Sequence, residues 1–176
     1  MTENQKLKTR QTNLPNGKKK NIPAGLWIKC PDCDELIFNK TLQENAFVCP
    51  KCQYHFVLCT NNRLKLLIDD DTFKEMDAEL SSLNPLTFVG VKCYEEKLKE
   101  AQRCTGLKDA CITGIGKMSG IKVALAITDS RFIMGSMGSV VGEKITRLIE
   151  CATKKKLPLV IVSGSGGGAR MYEGIL

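Results

Sequence analysis

Cys30, Cys33, Cys49 and Cys52 form two C-x-x-C pairs with fifteen residues between them, and this spacing constrains the fold more than any other feature of the chain. Each pair spans a proline-containing turn, Cys30-Pro31-Asp32-Cys33 and Cys49-Pro50-Lys51-Cys52, so both thiols of a pair can face one point. Two such knuckles supply the closed tetrahedral sulfur site that Zn2+ takes in structural roles. Residues 26–58 are read as a zinc ribbon built around it. A unit this short buries too little apolar surface to fold alone, and zinc supplies about 10–16 kcal/mol in such peptides, so the metal is expected to fold it. Trp27, Phe38, Tyr54 and Phe56 are assigned to a small core around the metal, with a base-stacking surface as the alternative. His55 is left outside the shell, which four thiolates already fill.

The other five cysteines, Cys59, Cys93, Cys104, Cys111 and Cys151, are scattered, and the total of nine is odd. They are expected to be small core residues in a reducing compartment. No apolar run of signal-peptide or membrane-spanning length occurs, so the sequence is read as soluble, intracellular and without a membrane partner. Six of the seven net positive charges fall in residues 1–29. Residues 1–25 are predicted to be a basic disordered tail. Such a tail serves as a solubilising lead-in, or contacts nucleic acid weakly through counterion release.

Beyond residue 58 the pattern becomes that of an α/β domain. A helix starts near Asn61 with Leu64, Leu67 and Ile68 on one side. Asp69-Asp70-Asp71 reads as the acidic N-terminus of a further helix rather than a metal site. A charged helix is expected over Tyr94–Gln102. Ala110–Ile115 and Ile121–Ile127 form a hairpin. A helix runs from the loop Gly135-Ser136-Met137-Gly138-Ser139 to about Lys156, with Val140, Val141, Ile145, Leu148, Ile149 and Ala152 turned to the sheet. Pro158–Val162 is then a buried parallel strand, leading into Ser163–Arg170 and another helix.

Glycine at strand-to-helix junctions lets the backbone approach a ligand and aims N–H groups at negative charge. The segment Gly138–Lys144 has the wrong gap for a P-loop, and no dinucleotide fingerprint follows Ile127. Two amide-rich turns remain, suited to holding a polarised carbonyl oxygen, or else to tight packing. Ser163 and Ser165 are poor candidates for a nucleophile, because the chain's one histidine lies in the ribbon.

From about residue 24 onward the chain resembles the beta-subunit family of the bacterial and plastid acetyl-CoA carboxylase carboxyltransferase. The resemblance rests on Leu26–Pro31 with the four-cysteine ribbon, on Gly135–Lys144, and on Ser165–Gly174. Met76–Phe88 and Thr105–Ala110 also look like family segments. It implies a crotonase-like fold (ClpP/crotonase superfamily) of ββα units over residues 59–176. The implied activity is transfer of the carboxyl group from carboxybiotin, borne by the biotin carboxyl carrier protein, to acetyl-CoA, giving malonyl-CoA for fatty acid synthesis. The implied partners are an alpha subunit, in a heterotetramer, and biotin carboxylase; the implied compartment is cytoplasm or plastid stroma. The oxyanion amides map to Gly167 and Gly168. CoA contacts map to Gly135, Ser136, Gly166, Ala169 and Arg170, and the metal ligands remain Cys30, Cys33, Cys49 and Cys52.

The chain departs from the family pattern in three places. It carries one extra glycine in Gly166-Gly167-Gly168, Tyr172 in place of a glutamine, and Met134 in place of a glycine. Leu176 falls about two turns into the expected last helix, where family members continue, so the core is expected to be incomplete with an edge strand uncovered. A nucleic-acid-binding ribbon and a non-catalytic fragment are the alternative readings.

Overall fold

A computed structural model describes residues 25–164 and 166–174. The predicted tail, apart from Gly25, and Ser165 lie outside the described residues. The chain divides into two compact units, one ending at His55 and the other beginning at Phe56.

In the first unit, β1 (Trp27–Lys29) pairs antiparallel with β2 (Leu36–Phe38), Trp27 opposite Phe38. α1 (Asn39–Glu44) follows directly. The two knuckles repeat one hydrogen-bond pattern. Asp34 N–H donates to Cys30 O at 3.0 Å and Cys30 N–H to Glu35 O at 2.8 Å; Gln53 and Cys49 N–H donate to Cys49 and Tyr54 O at the same two distances. Asp34 (φ 59°) and Gln53 (φ 64°) both turn left-handed, which reverses the chain within one knuckle. The buried core here is Cys30, Ile37, Leu42 and Cys49. The aromatic assignment is corrected: Trp27 is 56% exposed, and Phe38 and Tyr54 are each 36% exposed. The sulfur cluster with Ile37 and Leu42 fills the small interior, and large rings have no room in it.

The second unit is a four-stranded sheet in the order β3 (Lys74–Met76), β4 (Cys111–Met118), β5 (Ile121–Thr128), β6 (Leu159–Val162). The first three are antiparallel, and β5 and β6 are parallel, joined by the crossover helix α4 (Ser139–Lys155). Side chains alternate between two apolar layers. Cys111, Ala124 and Ala126 face Val141, Leu148 and Ala152 of α4 together with Tyr94 and Leu98 of α3 (Tyr94–Thr105). Ile112, Val123, Leu125 and Ile127 face Ile68, with Leu64 and Leu67 of α2 (Thr60–Leu67). Alanines at 124 and 126 let α4 lie close to the strands. Lys144 is buried beneath α4 and donates to the Cys111 carbonyl at 3.2 Å, a residue that the amphipathic pattern assigns to no core. Ile149, expected on the sheet side, is exposed.

The hairpin extends to Met118 and Ile121, beyond the expected end at Ile115, because Asp69 holds its turn. The aspartate trio is therefore not a helix N-terminus. Asp69 N–H donates to Lys117 O, and its carboxylate accepts from Ser119 and Gly120 N–H at 3.0 and 2.8 Å. An acid placed against two free amides is a strong local acceptor, and the chain passes on to β3 instead of coiling. Asp69→Ala is expected to destabilise this unit by about 1–2 kcal/mol, with little change in far-UV circular dichroism, as read by denaturant titration.

Three further expectations are corrected. β6 is parallel but not fully buried: Leu159 and Ile161 are exposed, since β6 pairs on one side only among the described residues. The chain after β6 does not enter a long helix but an irregular loop and one 3-10 turn, Met171–Glu173. Of the scattered cysteines, Cys111 is buried whereas Cys104 is exposed.

Candidate functional site

The sulfur atoms of Cys30, Cys33, Cys49 and Cys52 all lie within 4.8 Å of one another. Cys30–Cys52 and Cys33–Cys49 are 3.6 and 3.7 Å apart. A tetrahedron with Zn–S bonds of about 2.3 Å has edges of about 3.8 Å, so this cage fits zinc. The separations are far beyond the ~2.05 Å of a disulfide. Desolvation raises the Cys49 pKa, but the backbone N–H groups of Cys52 and Lys51 overcome it and hold the thiol down to about 7. At Cys49 the knuckle amides thus favour the thiolate that a metal requires, whereas the Cys52 thiol is pushed up, chiefly by desolvation, and Cys33 is raised as well. His55 stands apart, bridged to Val48 through the backbone, and is not among the clustered ligands.

The second site forms where the C-terminal ends of β5 and β6 meet. The first loop follows β5. Ile133, Met134 and Gly135 take φ of 46°, 56° and 67°, three left-handed residues in succession. Only glycine adopts this without strain, so Met134 carries a side chain in a backbone state that suits glycine. Its side chain is 72% exposed and does not fill the site.

The second loop leaves β6 and crosses the end of β5, where Gly164 N–H donates to Thr128 Oγ1 at 2.8 Å. A Cβ on Gly164 would lie 2.8 Å from Thr128 O, and one on Gly167 would lie 2.7 Å from Met134 O and 2.8 Å from Ser136 N. The two loops are stitched by Met137 N–H to Gly168 O at 3.0 Å and Arg170 N–H to Met137 O at 2.9 Å. Gly166 and Gly168 have open space where a Cβ would stand. The N–H groups of Gly168 and Ala169 have no acceptor among the described residues.

Beneath the loops lies a charged cluster. Arg170 is 1% exposed. Its Nε donates to Ser136 Oγ at 2.9 Å, its Nη2 to Asp109 Oδ1 at 2.7 Å, and its Nη1 contacts Glu173 Oε1 at 3.2 Å. The guanidinium also stacks over Phe132, 5.3 Å from the ring centroid. Glu173 Oε2 accepts from Ser139 N–H at 2.7 Å and Ser139 Oγ at 2.6 Å, so a carboxylate caps the N-terminus of α4. Tyr94 donates its hydroxyl to the other Glu173 oxygen. Gly138 is required at this junction, because a Cβ would stand 2.8–2.9 Å from Arg170 and Glu173. Desolvation pulls the Arg170 pKa down, but Asp109, by hydrogen bond and charge, more than offsets it. Burial would raise Glu173; Ser139 and Tyr94 hold it below the usual carboxylate range.

Of the residues expected to contact CoA, Gly135, Ser136, Gly166 and Ala169 come together at the two loops. Arg170 is at the same place but points inward, fully engaged. Tyr172 packs its ring 4.8 Å from Phe88 and 5.4 Å from Tyr94. Asp109, Glu173, Tyr94 and Ser82 were not singled out by the sequence. Glu173 lies within the recognised glycine motif three residues after Arg170, the one local signal that could have marked it.

A ribbon of four thiols, and a separate sheet-and-helix unit whose glycine loops interlock at the strand ends, define a crotonase-like α/β protein with an added metal module. The chain belongs to the carboxyl transferase family: the family's carboxyl transferase domain matches residues 58–176, and an acetyl-CoA carboxylase zinc finger domain matches residues 27–52. It is 56% identical over 164 residues to the acetyl-coenzyme A carboxylase carboxyl transferase subunit beta of Carboxydothermus hydrogenoformans. It is 52% identical to the chloroplastic subunit beta of Pyropia yezoensis. Each match covers 93% of this chain and 57% of the relative, so the chain spans little more than half of their length. Among solved structures, transcarboxylase 12S with hydrolysed methylmalonyl-coenzyme A bound superposes with a TM-score of 0.53 and 26% identity, over 68% of this chain and 21% of that one. No helix among the described residues is long and apolar enough to cross a membrane.

Proposed function

We propose that this chain supplies the acyl-CoA side of an acetyl-CoA carboxylase carboxyltransferase, working with an alpha subunit in a heterotetramer. The acceptor is acetyl-CoA and the product malonyl-CoA. Biotin, attached to its carrier protein and loaded by biotin carboxylase, supplies the carboxyl group and takes up the proton lost from the acetyl methyl. The part of this chain is electrostatic. Carbanion formation places negative charge on the thioester oxygen, and preorganised N–H groups stabilise it without reorganising. The Gly166–Ala169 run is the candidate donor set, with Gly167 and Gly168 as the oxyanion amides and Gly135, Ser136, Gly166 and Ala169 as the CoA-contacting surface. Arg170 then acts from beneath, holding the loops rather than touching CoA. The observation that carries this reading is the second glycine loop, locked by hydrogen bonds to the first, with the Gly168 and Ala169 N–H groups lacking an acceptor among the described residues.

The geometry separates two tests. Gly168→Val adds bulk into open space and is expected to weaken acetyl-CoA binding by more than tenfold while leaving the thermal midpoint nearly unchanged. Gly167→Ala drives a methyl into the first loop and is expected to lower both binding and stability. Calorimetric titration of acetyl-CoA into the complex with the alpha subunit checks both, and undiminished binding in Gly168→Val would contradict the assignment.

A second reading concerns the ribbon alone. Trp27 and Phe38 stand 5.5 Å apart on its surface, beside a groove of about 530 Å3 that Lys51 also lines. Exposed rings next to a cation are the elements of single-strand nucleic acid binding. Trp27→Ala is expected to abolish salt-sensitive binding of single-stranded RNA; retained binding would assign the contact to the basic N-terminal residues.

A further inference from the structure

We propose that Asp109 is a positioning residue for the glycine loops, acting through Arg170, an inference that rests on the carboxyltransferase reading of those loops. Asp109 lies just before β4 and is 1% exposed. Its carboxylate is tied to the neighbouring residue, which is itself anchored: Ala110 N–H donates to Asp109 Oδ1 at 2.7 Å, and Asp129 N–H donates to Ala110 O at 2.8 Å. Ser82 Oγ donates to its Oδ2 at 2.6 Å. The carboxylate is therefore fixed before it meets Arg170, at 2.7 and 3.3 Å in a two-pronged contact.

What Asp109 orients is a buried side-chain link that runs from the second loop into the first. The Arg170 guanidinium is planar, so two bonds to Asp109 set the direction of its Nε. That Nε donates to Ser136 Oγ at 2.9 Å, and Ser136 is the residue whose backbone packs against Gly167. The chain of fixation runs from the sheet through Asp109, Arg170 and Ser136 to Gly167. Glu173 also meets the guanidinium, but only at Nη1 and with oxygens shared with Ser139 and Tyr94, whereas Asp109 takes both Nη1 and Nη2. The sequence separation of Asp109 and Arg170 is 61 residues, which is why no local motif marks the pair. Small displacements of an oxyanion donor cost rate steeply, so an acid that never touches CoA is expected to govern turnover.

The test compares wild type with Asp109→Asn, which keeps volume and one acceptor oxygen but removes the charge. Hydrogen exchange on the 176-residue chain reads loop coupling directly. The Met137 and Arg170 amides, which stitch the loops, are expected to exchange at least tenfold faster, while Leu125 and Ala126 amides in β5 keep their rates. In the complex with the alpha subunit, kcat is expected to fall about tenfold with KM for malonyl-CoA within twofold. Ser136→Ala, which deletes only the far end of the link, is expected to change both readouts in the same direction and covers the case in which Asp109→Asn fails to fold. Equal acceleration in β5, or unchanged Met137 and Arg170 exchange, would reduce Asp109 to an ordinary stabilising residue and overturn the proposal. Selective loop exchange alongside a wild-type complex without transfer activity would uphold the coupling and remove only the carboxyltransferase reading.

Discussion

Stripping zinc from the chain, or replacing Cys49 with serine, is expected to unfold residues 27–52 while the four-stranded sheet stays folded. The first unit has two strands of three residues each and a core of two thiols, one isoleucine and one leucine. At about 25 cal/mol per Å2, so little apolar burial does not offset the ~1–2 kcal/mol of backbone entropy lost per ordered residue. Zinc coordination, worth about 10–16 kcal/mol in such modules, supplies the difference. The second unit has its own two apolar layers and needs no metal to form them. Residue-resolved hydrogen exchange with and without a chelator checks this. Protection should vanish around Ile37 and Leu42 and persist at Leu125 and Ile127; simultaneous loss in both units would contradict the modular account.

Arg170→Met is expected to cost the second unit about 3–5 kcal/mol, because removing one partner of a buried ion pair strands the other. Here Asp109 and Glu173 would face each other across an apolar side chain, with no cation to hold their charge. The deficit has a pH signature. In the wild type Glu173 lies below its usual range, so its contribution is present above the unfolded value of about 4.3 and is lost as pH falls through its folded value. In Arg170→Met one carboxyl takes up a proton in the folded state, its folded pKa rises, and stability is expected to recover as pH falls from 8 toward 5. Arg170→Lys keeps the charge but loses the planar fork, and should fall between the two. Denaturant titrations at several pH values separate these cases.

Much of the fold was legible in the sequence because its strongest elements are local. The C-x-x-C spacing announces the metal cage, and the β4–β5 hairpin, α3 and α4 carry clear periodicity. The misjudged elements depend on distant partners. Asp69 caps a turn fifty residues away, which no window around the aspartate trio can reveal. The ribbon's aromatics look like core until the sulfur cluster is seen to fill the interior. At the candidate site, the glycine loops stood out by composition, but their support did not. Asp109, Tyr94 and Glu173 come from three separate segments, and Arg170, expected at the CoA surface, is drawn inside by the two carboxylates they provide.

The most direct test of the central claim is carboxyl transfer from malonyl-CoA to a biotin derivative by this chain co-purified with its cognate alpha subunit, with a full-length beta subunit run in parallel. The account predicts transfer above that of the alpha subunit alone, sensitive to Gly168→Val. Background-level transfer in the presence of an active full-length control would show that the paired glycine loops of residues 1–176 do not by themselves complete a working acyl-CoA site.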